Sequence, residues 1–204
     1  MNKIIKNTIL LFIITLVSGI LLGAVYEITK EPRAKQEEIA RTKAYKNVFS
    51  DADSFEDFEY DQSDMAACLK EGGYDEASAL IESIVEAKSA SGDSLGYIIT
   101  VTDKKGYAGD ITFTLGIKND GTINGIAFLK LEETAGMGMK AKDDAFKDQF
   151  SDLSAVSYNT EPDAFDSNGI DAISGATITT KAVSNGVSAG VLCFKSITGG
   201  DMDE

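Results

Sequence analysis

The chain has no histidine, no tryptophan, two prolines and two cysteines. Without histidine it lacks the commonest general base and the commonest metal ligand, and no Ser-His-Asp or Cys-His triad can be assembled. Cys68 and Cys193 stand far apart with no C-x-x-C pair, too few thiolates for a zinc or iron–sulfur centre. Two buried or free thiols are the reading taken, with a disulfide left open. Positive charge is scarce as well: 19 Lys and Arg against 33 Asp and Glu give a net charge of −14. A chain this acidic repels a phosphate backbone, so nucleic acid is excluded as a partner.

What is present suffices for a globule. Hydrophobic residues make up 43% and charged residues 25% of 204, enough for one ordinary domain plus a membrane segment. Residues 1–7 form a short tail with Lys3 and Lys6, read as cytoplasmic. Thr8 to Tyr26 then runs without a charge, the length of a membrane-spanning helix. A cleaved signal peptide would have a shorter apolar region and an A-x-A-like site, and lipoprotein processing would need a following cysteine. The run is therefore read as a retained, single-pass anchor. Positive residues flank both ends, but long domains translocate largely regardless of charge, which puts the rest of the chain outside the cytoplasm. Gly19 and Gly23 form a G-x-x-x-G face suited to close packing of another membrane helix.

Residues 27–64 read as a solvated stalk helix to Phe49 followed by an acidic loop or short strand; its carboxylates lack the spacing of a calcium loop. Residues 65–198 read as the extracytoplasmic domain, with its core at 95–194, and 199–204 as a disordered tail. A short helix is expected over Met65–Lys70 and another over Asp75–Ser89, where Ala77, Leu80, Ile81, Ile84 and Val85 share a helical side. A meander follows: Leu95–Thr102, a turn at Gly106–Gly109, a half-buried strand over Ile111–Ile117, a hairpin turn at Asn119-Asp120-Gly121, and a returning strand over Thr122–Leu131 with a bulge at Gly125. Beyond it lie a loop at Glu132–Lys140, a short helix at Asp143–Phe150 with Ala145, Phe146 and Phe150 inward, and a strand over Leu153–Tyr158. A last helix over Thr177–Phe194 buries Val183, Val187, Val191 and Phe194. The fold class expected is α+β, an antiparallel β-meander packed with helices and preceded by one N-terminal transmembrane helix.

The stretch Asp171-Ala-Ile-Ser-Gly-Ala-Thr177 leads into that last helix. Ser174, Gly175 and Ala176 admit close approach of another group, and a helix N-terminus offers free N–H groups and the positive dipole end to a phosphate. Asp171 lies a turn upstream, within reach of a hydroxyl or a metal ion. Taken alone, Ser-Gly-Ala-Thr is also a common turn capped by Ser174 or Thr177.

In context, Asp-x-x-Ser-Gly-Ala-Thr at 171–177, Gly-Tyr-x-Gly at 106–109 and Glu-Thr-x-Gly-x-Gly at 133–138 occur in the order of the FMN-binding domain family, which the chain resembles over about residues 95–194. Phe146 and Gln149-Phe150 match it too. The family includes the G subunit of Rnf complexes and the C subunit of the sodium-translocating NADH:quinone reductase. The resemblance implies covalent FMN, joined through a phosphoester to Thr177 by a separate flavin transferase, with Ser174, Gly175, Ala176 and Asp171 around the attachment. It implies that Glu133, Thr134, Gly136, Met137 and Gly138 close on the flavin. Ala135 stands where the family usually has proline. The reading is an electron-relay subunit of an Rnf-type ferredoxin:NAD oxidoreductase coupled to ion translocation, partnered by the other membrane subunits and without turnover alone. Alternatives are the C subunit of a quinone reductase, or a membrane-anchored binding or assembly module without flavin, in which Thr177 is simply a helix cap.

Overall fold

A computed structural model describes residues 3–75 and 78–199. The tail expected at 199–204 therefore lies, but for Gly199, outside the described residues, as does Ala77. The chain divides into two units, Met1–Thr42 and Lys43–Glu204.

The apolar run and the charged stretch after it form one helix, α1 (Lys3–Val48), with Pro32 inside it. An internal proline removes a backbone hydrogen bond and costs about 3 kcal/mol, which helix on both sides has to offset. Within the first unit this helix carries an exposed, strongly apolar window long enough to cross a membrane.

The second unit is built on a five-stranded antiparallel sheet in plain sequence order: β1 (Ser54–Asp57), β2 (Ala79–Lys88), β3 (Ser94–Asp103), β4 (Ile111–Lys118) and β5 (Ile123–Lys130). Helix α2 (Gln62–Glu71) joins β1 to β2, starting at Asp61, whose side chain accepts from the Ser63 N–H. After β5 come a 3-10 turn (Gly138–Lys142), the one-turn helix α3 (Asp144–Lys147), a second 3-10 turn (Asp148–Phe150) and the long helix α4 (Thr177–Ile197). The chain is α+β as expected.

Alternation decides which side chain meets which layer. Ile99, Val101, Ile111, Phe113, Leu115 and Ile117 join Val183, Val187, Val191 and Phe194 of α4 in the main core. On the opposite face Ile98, Val85, Ala87 and Ala127 meet Ala44, Val48 and Phe49 from the end of α1. With that second layer β4 is covered on both faces, and it is buried from Ile111 to Ile117 instead of half-buried. Thr114 is accommodated there because its hydroxyl donates to the Ala127 carbonyl at 3.3 Å. Small residues let α4 sit close: a Cβ on Gly186 would lie 2.7 Å from the Phe113 ring.

Several local expectations are corrected. Residues 79–88 are strand β2, not part of a helix. Its register slips between Ile81 and Ser83, so Glu82 is an extra residue in the strand. A bulge breaks the two-residue period, and the apolar positions Leu80, Ile81, Ile84 and Val85 then imitate helical spacing. Leu153–Tyr158 is not a strand either; its ladder pairing among the described residues is one bridge, Thr122 to Ser154. Asp152, with φ of 59°, turns the chain beside β5, where Ile123 and Gly121 exchange backbone bonds with residues 152–155. The helix expected at Asp143–Phe150 is broken into α3 and a 3-10 turn, and of its three inward residues Phe146 and Phe150 are buried while Ala145 is exposed. The bulge at Gly125 is present: Gly116 pairs with Gly125 and Ile117 with Ile123, leaving Asn124 over.

Candidate functional site

The Asp171–Thr180 stretch is held by its own backbone and by one hydroxyl. The Ala176 N–H donates to the Ile173 carbonyl at 2.9 Å, the Ile173 N–H donates to Thr180 Oγ1 at 3.0 Å, and Thr180 Oγ1 donates to the Ala176 carbonyl at 3.1 Å. Ile173, Ala176 and Thr180 are thereby turned inward, and Ser174, Gly175 and Thr177 outward. Gly175 has φ of 75°, and a Cβ there would meet nothing within 4 Å. Only glycine adopts that conformation without strain. Helix α4 starts after Ala176, which has no side chain to cap it, and no side-chain cap bond is made. The alternative of a turn capped by Ser174 or Thr177 is not what forms; the bonding hydroxyl is Thr180, one turn further in. The first-turn N–H groups of α4 are left to solvent or to a ligand. Asp171 is exposed, and its backbone is held from both sides by Gln149.

The second segment is the loop after β5. Met137 and Met139 both donate their N–H groups to the Thr134 carbonyl, at 3.1 and 3.2 Å, which winds the loop into the 3-10 turn. Thr134 and Gly136 are exposed, and Met137 is 51% exposed. Gly138 is buried: a Cβ there would come within 2.6 Å of Thr179 Oγ1 and 2.8 Å of Glu133 Oε2. That close approach seats the loop against the first turn of α4.

The third segment is the turn between β3 and β4. Glu133, only 8% exposed, accepts from the Tyr107 N–H at 2.8 Å and the Ala108 N–H at 3.4 Å, both at Oε1. At the foot of this turn Asp103 accepts from the Lys105 N–H at 2.8 Å, while its Oδ2 has no partner among the described residues. Burial pushes the Asp103 carboxyl up to about 7.

Gly138 thus packs closely against Thr179 in the first turn of α4 and against Glu133, which in turn bonds the turn at 107–108. Thr134 and Met137 make no side-chain hydrogen bond to residues 171–177 among the described residues. Nor is there a group of three or more His, Cys, Asp or Glu able to hold a metal ion among them. Sequence reasoning gave no site role to Tyr107, quoted only within Gly-Tyr-x-Gly, or to Ile178, which are 68% and 51% exposed. Ile178 had a signal: it lies off the Val183, Val187, Val191, Phe194 stripe, an apolar residue with no core to enter. Tyr107 had one only in its glycine-flanked turn.

Residues 106–191 match the FMN-binding domain, and residues 1–48 match the RnfG N-terminal region. The G subunit of the Na(+)-translocating ferredoxin:NAD(+) oxidoreductase complex of Acetobacterium woodii is 31% identical, over 95% of this chain and 92% of its own length. The chain belongs to the RnfG family. The G subunit of the proton-translocating ferredoxin:NAD(+) oxidoreductase complex of Clostridium ljungdahlii is 30% identical over 98% of this chain and 96% of its own. The crystal structure of Shewanella oneidensis NqrC is similar over 57% of this chain and 61% of that one, at 20% identity and a TM-score of 0.47. As an RnfG family member, the chain matches the family models over its N-terminal helix and over residues 106–191 of its folded unit.

Proposed function

We propose that this chain is the electron-relay subunit of a membrane ferredoxin:NAD oxidoreductase complex coupled to ion translocation, and that it carries FMN through a phosphoester to Thr177. One observation carries the reading: Thr177 is the first residue of α4, exposed, at a helix start that no side chain caps. A phosphate attached there meets the free first-turn N–H groups and the positive end of the helix dipole. The open face of Gly175 admits it without a clash. Met137, Ile178 and Tyr107 supply exposed apolar surface for a flat ring system, and Ser174, Ala176, Thr134 and Gly136 complete the surroundings.

Bound at Thr177, FMN would supply reversible electron transfer at a ring that its phosphate tether leaves chemically free. The chain's own part is to hold and orient. Asp171, fixed through its backbone, stands a turn upstream of the attachment hydroxyl. A threonine hydroxyl is a weak nucleophile and needs a base or a metal to activate it. Maturation by a separate flavin transferase, which the family resemblance implies, is part of the proposal. So are a membrane span over residues 8–26, a cytoplasmic tail, an extracytoplasmic folded unit, and the complex's other membrane subunits as partners.

The test is intact mass and in-gel fluorescence of protein co-expressed with a flavin transferase, beside Thr177→Ala and Thr177→Ser. One added FMN in the wild type, absent from the alanine variant, is expected. A wild type without added mass under those conditions would end the electron-relay reading.

A further inference from the structure

Glu133 is a buried carboxylate beside the proposed site, and its Oε1 is already engaged. Oε1 receives two backbone N–H groups, from Tyr107 at 2.8 Å and Ala108 at 3.4 Å. A Cβ on Gly106 would come within 3.0 Å of the same atom, and one on Gly138 within 2.8 Å of Oε2. The same Cβ on Gly138 would lie 2.6 Å from Thr179 Oγ1, so the series of close contacts ends on the first turn of α4. The residue is 8% exposed, so its carboxylate is largely enclosed by the protein.

We propose that Glu133 is a positioning residue: its carboxylate ties the 106–108 turn to the 133–138 loop and, through Gly138, to the start of α4, fixing the three segments around the attachment threonine. The sequence resemblance implied a direct flavin contact for this residue; the geometry points to an internal one. The proposal rests on the FMN reading for the purpose of the tie, though not for the tie itself. Backbone donors to a carboxylate are charge-assisted and stronger than neutral pairs. Tyr107 itself projects outward at 68% exposure from the turn so held, as does Met137 at 51% from the neighbouring loop. Removing the acceptor frees the turn and so displaces the apolar surface without touching Thr177. An amide oxygen in the same place still accepts both N–H groups, so glutamine should preserve the tie where alanine cannot.

The experiment has two arms. In the first, amide hydrogen exchange is followed in flavin-free protein carrying Thr177→Ala, with Glu133 intact or changed to Gln or Ala. Protection of the Tyr107 and Ala108 amides is expected to drop about ten- to a hundredfold in E133A and to be largely retained in E133Q. In the second, iodide quenching of flavin fluorescence is measured on matured full-length protein. E133A is expected to keep its flavin mass and to be quenched several-fold more strongly, with E133Q close to wild type. Unchanged amide protection in E133A overturns the tie. E133Q as strongly quenched as E133A, with its amides still protected, overturns the positioning role and assigns the charge a direct part at the flavin. If matured wild type carries no flavin, the FMN reading fails with the positioning role, and the exchange arm alone decides whether Glu133 ties the turn.

Discussion

Gln149 bonds in both directions with the backbone of Asp171: its Oε1 accepts from the Asp171 N–H at 2.7 Å, and its Nε2 donates to the Asp171 carbonyl at 3.4 Å. Gln149 lies in the 3-10 turn that follows α3; Phe146 of α3 and Phe150 of the turn are anchored in the core with rings 5.4 Å apart. A rigid element thereby sets where the approach to Thr177 begins. Replacing Gln149 by alanine is expected to cost about 1 kcal/mol of stability for the exposed bonds. The larger expected effect is on maturation, with flavin incorporation several-fold lower at fixed transferase, read by intact mass. Incorporation equal to wild type would show that residues 171–176 hold their shape unaided.

Helix α4 depends on small residues to reach the sheet. Gly186→Ala would place a methyl 2.7 and 2.8 Å from two atoms of the fully buried Phe113 ring. A loss of about 1–3 kcal/mol is expected by overpacking, measured by denaturant unfolding. Gly190→Ala meets the end of the Leu115 side chain, also at 2.7 Å, and should cost less because that terminal methyl can rotate away.

Asp103 makes stability depend on pH in a direction opposite to most carboxylates. Burial raises its folded value to about 7, against roughly 3.9 for an unperturbed aspartate. Between those values the unfolded chain has released the proton and the folded chain retains it, so the unfolded state binds fewer protons and this residue's contribution falls as pH rises. The contribution is fully present below about pH 4 and lost above about pH 7. Asp103→Asn, which can still accept from the Lys105 N–H, is expected to be favoured over wild type increasingly from pH 5 to pH 8. Urea midpoints of both proteins at the two pH values check the sign.

The two thiols differ in access. Cys193 is 1% exposed, packed 3.2 Å from the Met65 sulfur, and burial pushes it up to about 12; Cys68 is half-buried on α2, and both are free. In folded protein at pH 8, iodoacetamide is expected to label Cys68 first and Cys193 only after unfolding, because the thiolate is the reactive form. Peptide mass mapping gives the order.

Much of the folded unit was legible because its signals are local. The β3–β5 meander follows from alternating residues and from Asn119-Asp120-Gly121, and the buried face of α4 follows from Val183, Val187, Val191 and Phe194. β2 was not legible, because one extra residue at Glu82 shifts its phase and its apolar positions then match a helix. Nor was Ala145, since a helical period was read across a segment that breaks into two short turns.

By itself the sequence determined the apolar anchor-length run, the meander, the final helix and the threonine at its start. Each depends on periodicity or on residues within one turn of each other. Only the tertiary structure decided that Thr180 rather than Thr177 bonds the turn, that Gln149 fixes Asp171, and that Glu133 faces Tyr107 and Ala108 across 26 and 25 residues of chain. The Thr180 bonds are short-range, but the Gln149 and Glu133 contacts join segments distant in the chain, and no local pattern encodes which carboxylate or amide will find which backbone group.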